Sequence, residues 1–102
     1  MSQRRLVRVA PSFFDRLDEL LPAERTAEGT PSTTDFLLHE IPPIIDRLAQ
    51  DYETATTVVP SLTGVRVLLA AGFLVPHVSV YTTLAADGAV ELIYLDIDQR
   101  PT

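Results

Sequence analysis

The sequence predicts an α+β domain: an N-terminal strand, two helices, and then a three-stranded antiparallel meander. Three observations carry this. The stretch 64–98 holds three apolar runs separated by Gly72 and by Asp87-Gly88, and Asp-Gly between alternating apolar segments is a strong short-range hairpin signal. Two segments ahead of it, 11–21 and 32–53, set apolar residues at helical spacing. A sheet with one apolar face needs a cover, and amphipathic helices supply one. The strands of the meander fall at 64–72, 75–84 and 89–97, in a single domain spanning residues 1–102.

Composition narrows the function classes. An apolar content of 46% excludes a disordered chain. The absence of cysteine excludes a disulfide framework and thiolate chemistry, and fits a reducing, cytoplasmic setting. The opening residues MSQRRLVRVAPSFF contain arginines but no apolar run of signal-peptide length, so no leader is expected. No run approaches the roughly 20 apolar residues of a membrane span, so no membrane partner is expected. Net charge is −6, and every basic residue is an arginine. An acidic domain is repelled by a polyanion, which counts against generic nucleic-acid binding. The concentration of Arg4, Arg5, Arg8, Arg16 and Arg25 in the first quarter leaves room for a local basic patch.

Residues 3–9 alternate as a strand that Pro11 stops, with Val7 and Val9 on the face of Arg5, and Arg4 and Arg8 on the other. A short edge strand guarded by charge is the plain reading, and a substrate-binding strand the alternative. In 11–21, Phe14, Leu17 and Leu21 form the apolar stripe, widened by Phe13 and Leu20. Pro11 suits the first helical turn, and Pro22 ends the helix. Residues 22–32 form a polar connection, read as a surface loop with a partner contact as the alternative. The second helix opens on Ser32-Thr33-Thr34-Asp35, similar to a capping box, and carries Phe36, Leu37, Leu38, Ile41, Ile44, Ile45 and Leu48. Pro42 and Pro43 predict a kink or break at 41–43. His39 reads as a solvent-facing or cap-bonding side chain. Residues 54–59 read as an additional short strand ahead of the meander.

Few residues are placed in patterns that carry chemistry. The chain has no P-loop, GxGxxG, GxSxG or HExxH motif. Two histidines and no cysteine give no metal-ligand spacing, so neither a metal nor a cofactor is expected. Asp96 and Asp98 share a face, in the manner of a charged strand terminus. Two features remain. On the central strand, His77, Ser79 and Tyr81 line one face while Val78, Val80 and Leu84 turn to the core. On the preceding strand, Arg66 points away from Val65, Val67 and Leu69. If Arg66 shares the side of His77 and Tyr81, the three make a phosphate-oriented candidate site. A solvated sheet face with ordinary polar residues is the alternative.

The order of elements, together with RRLVRVAPSFFDRLDELLP, IIDRLAQDYE, PSLTGVRVLLAAG and VPHVSVYTTLAADGAVELIYLDID, resembles the RelE/ParE superfamily of bacterial type II toxins. Leu62-Thr63-Gly64-Val65-Arg66-Val67 is similar to the family's loop and arginine-bearing strand, and Val78-Ser79-Val80-Tyr81 to its second meander strand. The resemblance implies a toxin-like component of a toxin–antitoxin system that an antitoxin protein binds and silences. Its activity would be ribosome-dependent cleavage of mRNA or inhibition of DNA gyrase. In the nuclease form Arg66 would hold phosphate, with His77 and Tyr81 serving proton transfer or base stacking. The chain departs from the pattern in being acidic, in carrying His77 near where a second arginine is expected, and in offering only Arg100 in its terminal segment. A second hypothesis is therefore a non-catalytic protein-interaction domain that keeps the fold without the active site, in complex with a small partner or as a homodimer. An unrelated small-molecule-binding α+β domain is the third.

Overall fold

The computed structural model describes residues 4–98. Its elements are β1 (Val7–Val9), α1 (Pro11–Leu20), α2 (Thr33–His39), α3 (Ile41–Ala55), β2 (Thr56–Val58), β3 (Arg66–Ala70), β4 (His77–Leu84) and β5 (Val90–Asp98). The chain is α+β, as its patterning predicts. The three-stranded meander, however, is corrected to a five-stranded mixed sheet in the order β1-β5-β4-β3-β2. β2 to β5 run antiparallel in succession, and β1 lies parallel to β5, with Val7 opposite Val90. The extra antiparallel strand is the β-branched run Thr56-Thr57-Val58, which pairs with Leu68, Val67 and Arg66 as soon as α3 ends.

β1 covers only the first residues of the β5 edge. Beyond them α1 takes over. The Ala10 amide donates to the Leu92 carbonyl at 2.9 Å, Ser12 Oγ to the Ile93 carbonyl at 2.6 Å, and Arg16 Nε to the Leu95 carbonyl at 3.1 Å. An unpaired strand edge would otherwise present acceptors to any passing strand. Between β4 and β5 the register jumps: Tyr81 faces Tyr94, but Thr82 faces Leu92. Ile93 is the extra residue of a bulge. It lets Leu92 and Leu95, three apart, both face the helices.

The core lies between the helices and one sheet face. Phe13, Leu17, Phe36, Ile41, Ile44, Leu48 and Tyr52 meet Leu68, Val78, Val80, Val90, Leu92 and Leu95. In α1 the stripe is shifted from the expected one. Phe13 and Leu17, at i and i+4, are fully buried, while Phe14 is 42% exposed. In β4 the third core position belongs to Thr82. Leu84, expected in the core, is half exposed because it ends the strand.

The long second helix divides one residue before the expected 41–43. Glu40 caps α2 and precedes α3, so Pro42 and Pro43 fall in the first turn of α3. There their missing N–H groups have no intrahelical partner to lose. The capping box is present in full: Asp35 N–H donates to Ser32 Oγ at 3.0 Å, and Ser32 N–H to Asp35 Oδ2 at 2.9 Å. No helix among the described residues is long and apolar enough to cross a membrane.

Candidate functional site

Strand alternation places the residues of the expected site, and it separates them. His77, Ser79 and Tyr81 stand on the outer sheet face, which carries no helix among the described residues. His77 is opposite Asp98, Ser79 lies between Leu69 and Asp96, and Tyr81 lies between Val67 and Tyr94. Tyr81 and Tyr94 meet edge to face at 5.9 Å. Leu69 is 65% exposed and Tyr94 41%. A hollow of about 350 Å³ between Tyr81, Ile93, Tyr94 and the loop residues Val59, Ser61, Leu62 and Val65 continues this surface. The outer face is therefore apolar and aromatic at its middle, with His77, Ser79, Asp96 and Asp98 toward one end.

Arg66 is on the other side. It pairs with Thr82 in register and shares the face of Leu68 and Val80, so the shared-face condition for a phosphate site with His77 and Tyr81 fails. Its guanidinium is engaged: Nε donates to Thr56 Oγ1 at 2.7 Å, and Nη2 to the Glu53 carbonyl at 3.1 Å and the Thr56 carbonyl at 2.9 Å. The guanidinium carbon also lies 5.8 Å from the Tyr52 ring centroid. A buried chain continues inward. Thr82 Oγ1 donates to the Arg66 carbonyl at 3.1 Å, which leaves it to accept from the Tyr52 hydroxyl at 3.0 Å. Thr56 Oγ1 in turn donates to the Tyr52 carbonyl at 2.6 Å. The network fastens the end of α3 to β2, β3 and β4. It holds structure together and leaves no donor of Arg66 aimed at the outer face.

A second feature, built on Glu40, has no local signature in the sequence. This carboxyl is 2% exposed. Oε1 accepts from the Phe73 amide at 2.7 Å and Oε2 from the Leu74 amide at 3.2 Å. The β3–β4 connection is thus pinned to the α2–α3 junction by one side chain 33 and 34 residues away in sequence. A Cβ on Gly72 would collide with Glu40 Oε2 and lie 2.6 Å from the Val75 carbonyl oxygen. Gly72, read from sequence as a turn residue, is there to let the carboxylate in. Beside it lies a cleft of about 150 Å³ with walls from Pro43, Ile44, Leu68, Ala71 and Phe73, and Arg47 at its rim. Phe73 projects from the connection at 80% exposure.

The charged side chains are mostly spent on one another. Arg4 pairs with Asp46, Arg5 with Glu53, Arg8 with Asp87, Arg16 with Asp96 and Arg25 with Asp35. The hydrogen bond from Arg25, with help from the Ser32 amide, holds the Asp35 carboxyl well below the usual carboxylate range. Arg8 and the Ala89 amide hold Asp87 below its ordinary value. The basic residues of the first quarter therefore make no free patch among the described residues. Arg16 reaches the outer face, yet its guanidinium stacks 4.8 Å from the Tyr94 centroid while bound to Asp96. His39 is exposed in the last turn of α2. Arg100 lies outside the described residues.

Among the described residues no group of three or more His, Asp or Glu side chains is placed to hold a metal ion. No family model, no curated protein and no solved structure matches the chain.

Proposed function

We propose that this domain acts by binding another protein and has no catalytic centre of its own. The observation that carries the reading is the outer sheet face: exposed Leu69 and Tyr94 flank half-buried Tyr81, and the one arginine that reaches them, Arg16, is already paired with Asp96. Exposed apolar and aromatic area rimmed by polar groups is what a protein contact uses. A phosphate-cleaving site instead needs uncommitted cations beside its acid and base. Within the RelE/ParE resemblance, this favours an activity exerted by contact, such as gyrase inhibition, over cleavage of mRNA. An antitoxin protein would then be the partner that silences it.

The test has two arms. Purified chain added to a ribosome-containing extract is expected to leave a reporter message intact. Native mass spectrometry of the chain isolated from its own cells is expected to show a complex with a small protein, or a homodimer. Leu69→Arg is expected to dissociate that complex without changing the far-UV circular dichroism. Message cleavage that His77→Ala abolishes would overturn the reading.

A further inference from the structure

The cleft beside Glu40 lies on the helix side of the sheet. α3 presents Pro43, Ile44 and Arg47 to it, at i, i+1 and i+4 on one helical face. β3 and the connection beyond it contribute Leu68, Ala71 and Phe73. The walls are apolar. The volume of about 150 Å³ is of the order that admits one benzene-sized group.

The charge of the cleft is decided by what remains unspent. Glu40 offers nothing to a ligand, since both its oxygens accept from the connection and it is buried. The N-terminus of α3 offers little to an anion, because two of its first three residues are Pro42 and Pro43, which have no N–H. Arg47 is different. Among the described residues it is the one arginine with neither a hydrogen bond nor an ion pair, in a chain of net charge −6. It is exposed at the rim, where a carboxylate could take the bidentate geometry guanidinium favours.

We propose that this cleft seats one apolar side chain of a partner polypeptide whose neighbouring Asp or Glu pairs with Arg47. The proposal rests on the protein-binding reading and names a second contact for it. A hollow on the outer face, at His77 and Ser79, shares Ala70, Ala71 and Val78 with the cleft. A segment crossing the β3–β4 connection therefore touches both sides of the sheet end. Glu40 holds the backbone of the connection at Phe73 and Leu74, which lowers the ordering cost of such a contact.

A random twelve-residue peptide library displayed on phage, panned on the intact chain, tests this. Enriched peptides are expected to place an acidic residue close to a Leu, Phe, Tyr or Trp. The best synthetic peptide is expected to bind about two- to fivefold more weakly to Arg47→Ala, the loss of one accessible charge-assisted pair. Replacing the peptide's own acid by its amide should cost the same, with no further loss when the two changes are combined. Amide shifts on binding are expected at Ile44, Ala71 and Phe73, and Ala71→Trp is expected to block the cleft. Peptide binding indifferent to Arg47→Ala, or a panning with no enrichment, overturns the proposal. Shifts confined to Tyr81 and Tyr94 also overturn it, but leave the domain a protein binder. Message cleavage in the extract assay removes the protein-binding reading itself.

Discussion

Glu40 and Gly72 make a quantitative case. Glu40→Ala removes the acceptors of the Phe73 and Leu74 amides. A hydrogen bond to a charged group contributes about 1.5–3 kcal/mol. Water reaches this part-buried connection once the carboxylate is gone, so the lower end applies and the expected cost is about 3 kcal/mol for the pair. For a domain of this size that lowers Tm by roughly 12–24 °C. Gly72→Ala in the native chain drives a methyl group into Glu40 Oε2 and against the Val75 carbonyl. Overpacking of this kind costs about 1–3 kcal/mol. Because Gly72 does not have positive φ, alanine suits its backbone, and the damage comes from the collision alone. In the Glu40→Ala background the first obstacle is absent, so Gly72→Ala should cost at least about 1 kcal/mol less than it does in the native chain. Urea unfolding followed by circular dichroism, at constant m, measures all four corners of the cycle. Costs that add to within about 0.5 kcal/mol would refute the coupling.

Two further outcomes follow from the geometry. Arg66→Ala is expected to lower stability by about 2 kcal/mol, since it strips the bonds to Thr56 and Glu53 and the contact with Tyr52; an unmoved urea midpoint would show that Arg66 is not structural. Asp35 titrates below its unfolded value because of Arg25 and Ser32. The unfolded chain therefore binds the proton first as pH falls, and the stability Asp35 contributes is present above an unfolded pKa of about 3.9 and lost below it. Asp35→Asn should flatten the decline of stability between about pH 5 and pH 2, and an unchanged slope would count against the pairing with Arg25.

Much of the local structure was legible because its causes are local. Ser32 and Asp35 lie three residues apart and close a capping box wherever the helix forms. Pro11 opens α1, and Asp87-Gly88 turns β4 into β5. Pro42 and Pro43 signalled an interruption, but the break falls at Glu40 because a helix can begin on prolines and cannot continue through them. The stripe of α1 centres on Phe13 rather than Phe14. Adjacent aromatics satisfy nearly the same periodicity, and only the position of β5 decides which one is covered.

The sequence by itself determined the α+β class, the positions of the helices and hairpin turns, and the face of β4 that carries His77, Ser79 and Tyr81, because each depends on residues within a few positions of one another. The tertiary structure decided how those pieces meet. The parity of pairing between β3 and β4 sends Arg66 to the helix side and keeps it from His77 and Tyr81, since shifting an antiparallel register by one residue exchanges the faces of a strand. The bulge at Ile93, the hold of Arg16 and Ser12 on the edge of β5, and the hold of Glu40 on the Phe73 connection join residues far apart in the chain. So does the cleft at Arg47. Its charge is available because the other arginines of the described chain found partners, and which partners they found is set by how helices and sheet pack together.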